Sequence, residues 1–161
     1  MARVQFPAAR QNMLQKVLSK VGNPSVCTAA IFVRNGGVLL GLRNYTPEKW
    51  KDISVWTTPG GRCDDGEIIE KALRREVAEE VNIKDLEIVE FMGEVPGVKE
   101  GDVVLVFYCE SVEEPKMMEP EKFSEWRWVP ISEYLQGAPY DVMNPAGYRL
   151  ISEYLKSRNF F

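Results

Sequence analysis

The sequence contains no histidine among its 161 residues. This absence excludes Ser-His-Asp and Cys-His catalysis, imidazole metal ligands and proton transfer through imidazole. An enzyme of this composition, acting near neutral pH, would depend on carboxylates, Lys, Tyr, Cys or a bound metal ion.

Cysteine is scarce, with only Cys27, Cys63 and Cys109 in the chain. The three are odd in number and far apart, and none belongs to a CxxC pair. This pattern excludes a disulfide framework and a zinc knuckle, and it is typical of proteins in a reducing cytoplasm.

Long apolar runs and excess positive charge are also missing. No apolar run approaches the roughly 18 residues of a membrane span, and the N-terminus lacks the apolar segment of a signal peptide. The net charge is −4, so an anionic ligand would need local cations or a bound metal. We therefore expect a cytoplasmic protein with no membrane and no nucleic-acid partner.

The length and the 45% hydrophobic content predict one domain over residues 1–161, with residues 1–22 as an N-terminal helical extension. Hydrophobic spacing predicts helices over residues 8–21, 65–81 and 145–156, and strands over 26–33, 38–42, 86–95, 102–109 and around Trp126. Strands with helices between and after them indicate an α/β fold, in which a mixed β-sheet lies between helices.

Three glutamates, Glu76, Glu79 and Glu80, fall in the last turns of the second predicted helix. Acids cost stability there, because a helix C-terminus carries partial negative charge. At about 100° per residue, Glu80 lies about 40° and Glu79 about −60° from Glu76. This is the side that also carries Ile69 and Leu73, so we expect all three acids to face inward.

Such a run of acids could instead be a solvated face that pairs with nearby Arg or Lys. Inward-facing carboxylates would repel one another and raise their pKa values, which a divalent cation would relieve. Carboxylate oxygens without His or Cys favour Mg²⁺ or Mn²⁺.

The segment "PGGRCDDGE" precedes this helix. Gly60 and Gly61 allow a tight turn in which the backbone approaches a ligand. Asp64 and Glu67 have the spacing of a capping box at the helix start. Glu67 is thus a cap, an orienting partner for Arg75 or a metal ligand.

The spacing from Gly61 through Glu67 to "REVAEEVNI", which begins at Arg75, resembles the Nudix box GX5EX7REUXEEXGU. Six of its seven fixed positions match. Asn82 stands where the family has Gly, and Asn is the second choice after Gly for the left-handed residue that ends a helix.

The resemblance implies a MutT-like Nudix hydrolase with an α/β/α sandwich fold and a Mg²⁺ (or Mn²⁺) cofactor. In this family water attacks a phosphorus of a nucleoside diphosphate linked to another group. The resemblance assigns Glu76 and Glu80 as principal metal ligands and Glu79 as ligand or general base. Arg75 would orient a carboxylate.

The remaining candidates follow from the same resemblance. Gly60 and one loop acid are further metal-ligand candidates. The loop before Trp126 offers Glu119, Glu121 and Glu125, of which we favour Glu121, although each of them is more often a solvated loop acid. Arg43 and Gly61 are candidates for contacts to substrate, and Arg43 could also be a surface residue. Aromatic candidates for the base are Trp56, Trp126, Trp128 and Phe107, each of which could be core; the polar loop adds Tyr45, Lys49, Trp50 and Lys51.

We expect the substrate to be a small nucleotide, a nucleoside or deoxynucleoside triphosphate that is cleaved to monophosphate and pyrophosphate. A nucleotide-sugar or ADP-ribose type hydrolase is the alternative. A non-catalytic nucleotide sensor is disfavoured because all four box glutamates are present, and an isopentenyl-diphosphate isomerase-like enzyme because that group uses histidine ligands. The protein would act as a monomer or homodimer.

Overall fold

The computed structural model describes residues 6–44, 55–137 and 144–160. Within these ranges the chain forms four helices and seven strands. In chain order they are α1 (Ala8–Leu18), β1 (Val26–Arg34), β2 (Gly37–Arg43), β3 (Trp56–Thr57), β4 (Gly60–Arg62), α2 (Ile69–Val81), β5 (Glu87–Pro96), β6 (Val103–Glu110), β7 (Phe123–Pro130), α3 (Ile131–Tyr134) and α4 (Pro145–Arg158).

The strands form one mixed sheet in the order β3-β2-β1-β6-β5, with β4 paired to β1 and β7 paired to β2. Strands β1 and β6 are parallel, and the other pairs are antiparallel. Asn35 and Gly36 connect β1 to β2 with φ angles of 50° and 75°, as a tight hairpin turn requires. Strands β1 and β2 pair next to this turn. Farther from the turn β1 pairs with β4 and β2 pairs with β3, while β7 pairs along the whole of the other edge of β2.

Helices cover both faces of the sheet. Helices α1 and α2 pack on one face through a cluster that includes Leu18, Leu73 and Phe107. Helix α4 packs on the other face through a second cluster that includes Ile31 and Leu155, and α3 contributes to it. The expected α/β/α arrangement with a mixed sheet between helices is confirmed.

Helix α2 differs from its prediction at one end. It begins at Ile69 rather than near residue 65, because Asp64 and Glu67 form a turn in which Glu67 N–H donates to Asp64 O at 3.1 Å. At the other end Asn82 adopts φ 57° and ψ 26°, and its N–H donates to Ala78 O at 3.0 Å. Asn82 therefore ends the helix in the left-handed conformation that the sequence predicts.

Membrane insertion through a helix finds no support in the described ranges. None of the helices there combines the length and the apolar character that a membrane span requires.

Candidate active site

Helix α2 directs its three C-terminal glutamates into different environments. The carboxylate of Glu80 is buried, and that of Glu76 is half-buried with 18% exposure. Glu79 is 53% exposed, so the expectation that all three acids face inward is wrong for this residue. Glu79 lies at the edge of the inward-facing side of the helix. Its carboxylate is 3.4 Å from the guanidinium of Arg75, one turn earlier in the helix.

A glycine turn in β4 fits closely against these carboxylates. Gly60 N–H donates to Glu80 Oε1 at 3.0 Å, and its φ of 147° favours glycine. A Cβ at Gly60 would collide with the carbonyl oxygen of Thr28, and a Cβ at Gly61 would collide with the carboxylate of Glu76. The two glycines are therefore needed for the approach of α2 to the sheet.

Arg75 orients two carboxylates at once. It binds Glu67 in a bidentate manner, with Nε and Nη2 each at 2.8 Å from one carboxylate oxygen. Its Nη1 donates to Glu76 Oε1 at 2.9 Å. Of the three possibilities for Glu67, the structure shows the contact expected of an orienting partner. The Asp64 N–H also donates to this carboxylate at 2.9 Å, in the turn before the helix.

The electrostatics of the acids follow from burial. Burial raises the pKa of Glu80 to about 8; the charges of Glu76 and Glu119 act in the same direction, while the Gly60 N–H and Arg43 oppose it. Burial also raises the pKa of Glu76, against the hydrogen bond from Arg75. In contrast, the hydrogen bond from Arg75 lowers the pKa of Glu67 to about 2. At both Glu76 and Glu80 burial thus outweighs the opposing charges of Arg75 and Arg43.

The donor set at this pocket fits a hard divalent cation. In the described ranges no three acidic or cysteine side chains already converge on one point. Glu76 and Glu80 nevertheless offer carboxylate oxygens whose ionisation is opposed by burial, and a cation would restore it. Oxygen ligands without His or thiolate favour Mg²⁺ or Mn²⁺.

The loop before β7 brings Glu119, rather than Glu121, towards the acids. The charge of Glu119 contributes to the raised pKa values of both Glu76 and Glu80. Glu121 and Glu125 are exposed. The sequence offered Glu119 as one of three candidates but could not select it, because the conformation of a loop depends on contacts with distant elements.

Arg43 and Trp126 lie beside this pocket. The charge of Arg43 lowers the pKa of Glu80, and its guanidinium lies 5.8 Å from the ring centroid of Phe123. The Phe123 ring lies 4.6 Å from that of Trp126. Among the described residues neither Arg43 Nε nor Trp126 Nε1 has a hydrogen-bond partner, although both atoms are buried. Phe123 joins this group without having been expected from the sequence.

The other aromatic candidates lie elsewhere. Trp56 is buried in the core on the α4 face, where Arg127 covers it at 4.6 Å, so of its two possible roles the structure shows the one in the core. Phe107 is fully buried in the core on the α2 face. Trp128 lies under Arg34 at 4.7 Å and lines a separate cavity of about 300 Å³. Tyr45, Lys49, Trp50 and Lys51 lie outside the described residues.

Comparisons with known proteins agree with this geometry. A model of the NUDIX domain family matches residues 24–152. An RNA pyrophosphohydrolase of Wolbachia sp. subsp. Brugia malayi (strain TRS) is 27% identical over 127 residues, which cover 67% of this chain and 75% of the relative.

Solved structures show the same fold. A MutT NUDIX hydrolase from Burkholderia pseudomallei is 25% identical, with a TM-score of 0.63 over 81% of this chain and 98% of its own. A MutT protein from Methanosarcina mazei Go1 is 20% identical, with a TM-score of 0.65 over 83% of this chain and 94% of its own. The matched range of the family model includes the glycine turn and the whole of α2. The chain therefore belongs to the NUDIX domain family, as a hydrolase of phosphoric anhydride bonds.

Proposed function

We propose that this protein is a Mg²⁺- or Mn²⁺-dependent pyrophosphohydrolase that converts a nucleoside or deoxynucleoside triphosphate into the monophosphate and pyrophosphate. The observation that carries the proposal is the buried carboxylate of Glu80, fastened to the glycine turn beside the half-buried Glu76. A fold stabilised only by packing would gain from an apolar residue at this place. A carboxylate whose pKa is raised by burial is typical of a functional site.

Each residue of the site has a proposed role. Glu76 and Glu80 hold the cation, together with Glu119 and the carbonyl oxygen of Gly60, in place of the Glu121 favoured from the sequence. The bound cation supplies neutralisation of phosphate oxygens and a lower pKa for water. Arg75 keeps Glu76 oriented through its 2.9 Å hydrogen bond.

Glu79 is the proposed general base. Its exposure places it where water can reach it, and its weak contact with Arg75 at 3.4 Å leaves it able to move. It accepts the proton of the attacking water while an oxygen–phosphorus bond forms and the anhydride bond breaks. Pyrophosphate leaves with the electrons of that bond.

Arg43 and Trp126 are the proposed contacts to substrate. Arg43 Nε and Trp126 Nε1 are buried donors without an acceptor among the described residues, and movement of these side chains when substrate binds would bring them to phosphate and nucleobase oxygens. Gly61 leaves the space in which the Glu76 carboxylate approaches the backbone, and its own backbone is a further proposed contact to substrate.

A second candidate substrate is an RNA with a 5′-triphosphate. The observation in its favour is the 27% identity to the Wolbachia RNA pyrophosphohydrolase over 127 residues. Against it, the net charge of −4 gives no general attraction for a polyanion. Both candidates require the same attack on a phosphoric anhydride.

A substrate panel tests the proposal. The full chain, with Mg²⁺ or Mn²⁺, is incubated with nucleoside triphosphates, ADP-ribose, nucleotide sugars, dinucleoside polyphosphates and 5′-triphosphate RNA, and the products are separated by anion exchange. We expect monophosphate and pyrophosphate from triphosphates as the fastest reaction. Faster cleavage of a sugar nucleotide or of RNA would replace the triphosphate proposal with that substrate.

Replacement of Gly61 by Ala is expected to lower kcat by about 100-fold, because a misplacement of about 1 Å has this cost. The added Cβ would meet the carboxylate of Glu76 and push it away from Glu80. Steady-state kinetics on the best substrate measure the effect.

Gly147→Ala in α4 is the matched control, because a Cβ there meets Asn144 at an ordinary 3.7 Å. It should leave kcat unchanged. If Gly61→Ala retained kcat within about threefold, the position of Glu76 would not matter for the reaction.

A further inference from the structure

Lys122 is a cation at the acidic pocket for which the roles proposed above give no function. Its Nζ donates to Glu119 Oε2 at 2.8 Å. This hydrogen bond is the largest cause of its raised pKa, and the charges of Glu119, Glu80 and Glu76 add to it. The ammonium therefore lies within electrostatic reach of all three carboxylates of the proposed cation site.

The backbone holds this lysine and Glu119 in a fixed relation. The N–H groups of Lys122 and Phe123 both donate to Glu119 O, at 2.9 and 3.0 Å. Asn44 at the end of β2 donates its N–H to Lys122 O at 2.6 Å. The backbone of the turn over residues 119–123 is thus anchored next to Arg43.

An exposed lysine–glutamate pair three residues apart contributes little to stability by itself. Here the pair has a specific consequence, because the negative charge of Glu119 raises the pKa values of Glu76 and Glu80. A divalent cation that uses Glu119 must displace the ammonium. The displaced ammonium stays within reach of the pocket, since the backbone of Lys122 is held by Asn44.

Resting on the proposed function, we propose that Lys122 is an exchangeable counter-ion, which neutralises Glu119 in the free protein and transfers to a substrate phosphate when the divalent cation takes Glu119. The ammonium of Lys122 accordingly moves between two anions, Glu119 and the substrate phosphate. It sets the affinity for the cation and for the phosphate chain in opposite directions.

Lys122→Met tests both directions. Calorimetric titration of Mn²⁺ into the chelator-treated full chain, without substrate, should show binding about threefold to fivefold tighter than in the unsubstituted protein, because the competing cation is gone. KM for the best nucleotide should rise about tenfold, because a charge-assisted hydrogen bond to phosphate is lost. Lys122→Arg keeps the charge and should restore both values.

Lys156→Met is the matched control, because this lysine is exposed on α4 at the opposite face of the sheet. It should change neither quantity. Circular dichroism shows whether Lys122→Met is folded, and Lys122→Gln serves as a second neutral variant.

Two results would overturn the inference. Unchanged or weaker Mn²⁺ binding in Lys122→Met would show that the lysine does not compete for Glu119. Tighter Mn²⁺ binding with an unchanged KM would show that the ammonium does not reach the phosphate. The Mn²⁺ titration uses no nucleotide, so a failed substrate panel with a tightened titration would reject the proposed triphosphate reaction and keep the counter-ion.

Discussion

Replacement of Glu80 by Gln is expected to lower kcat/KM for the best substrate by about 1,000-fold, the size of effect typical for loss of one preorganised charge at a reaction centre. Gln keeps the volume and can still accept the Gly60 N–H hydrogen bond, which is 3.0 Å long in the structure. It loses only the negative charge that a divalent cation requires. Steady-state kinetics with Mg²⁺ and Mn²⁺ measure the loss.

Glu70→Gln on the same helix is the matched control. Glu70 lies in the first turn of α2 and pairs with Arg74 at 3.6 Å on the exposed side. Its substitution should leave kcat/KM within about twofold of the unsubstituted protein, as is usual for exposed pairs. If Glu80→Gln were equally active, the assignment of Glu80 to the cation would be abandoned.

Without metal, Glu80→Gln should stabilise the folded state at higher pH, although it lowers activity. The pKa of Glu80 is about 8 in the folded chain and ordinarily 4.5. Between these values the folded state holds a proton that the unfolded state releases. The contribution of Glu80 to the free energy of unfolding therefore falls as pH rises through this window, by up to about 1.4 kcal/mol per pH unit.

Thermal unfolding in a chelating buffer, between about pH 5 and 8, measures this contribution. Because Gln does not titrate, Tm of Glu80→Gln should fall less with pH than that of the unsubstituted protein. Added Mn²⁺ should raise Tm of the unsubstituted protein most at the upper end of the range. Parallel Tm curves for the two proteins would show that Glu80 is ionised in the folded state throughout.

Glu90→Ala is expected to lower the free energy of unfolding by about 2–3 kcal/mol, since it leaves the buried Tyr154 hydroxyl and the partly buried Arg158 without their anion. Glu90 on β5 is buried and accepts hydrogen bonds from Arg10 at 3.0 Å, Arg158 at 2.8 Å and Tyr154 at 2.7 Å. One carboxylate thus connects α1 and α4 across the edge of the sheet. Denaturant titration measures the loss, which corresponds to a fall in Tm of about 5–10 °C.

Glu94→Ala on the same strand is the control, because Glu94 is exposed and surface substitutions usually change stability by less than about 0.5 kcal/mol. Glu90→Ala should also keep its kcat at a temperature where it is folded, because β5 lies at the opposite end of the strand order from β2 and β3. If Glu90→Ala lost no more stability than Glu94→Ala, the hydrogen bonds of Glu90 would contribute nothing to the attachment of α1 and α4.

Local pattern was sufficient for most of the fold. The apolar run "VVLVFYC", which does not alternate with polar residues, predicts a central strand that is buried on both faces, and as β6 it lies between β1 and β5. The alternation around Trp126 predicts a strand with Trp126 and Trp128 on one side and Arg127 on the other, and they pack on opposite faces. These features follow from hydrophobic periodicity, which depends only on near neighbours in the chain.

The short elements were not predictable in this way. Strand β4 is three residues long, and it exists because β1 separates from β2 after the hairpin and leaves an edge to pair. Helix α3, four residues long, closes the second core with Ile131 and Tyr134. Their sequences carry no periodic signal, so their conformation is decided by the partners.

The sequence by itself determined the family, the helix that carries the glutamates and the left-handed end of that helix at Asn82, because spacing along one helix sets which residues share a face. Only the tertiary structure decided that Glu79 is exposed, that Trp56 lies in the opposite core and that Glu119 with Lys122 lies at the acids. Those positions depend on hydrogen bonds between distant segments, such as Asn44 with Lys122 and Lys116 with Val81. A local sequence pattern carries no information about these contacts, because their partners lie far apart in the chain.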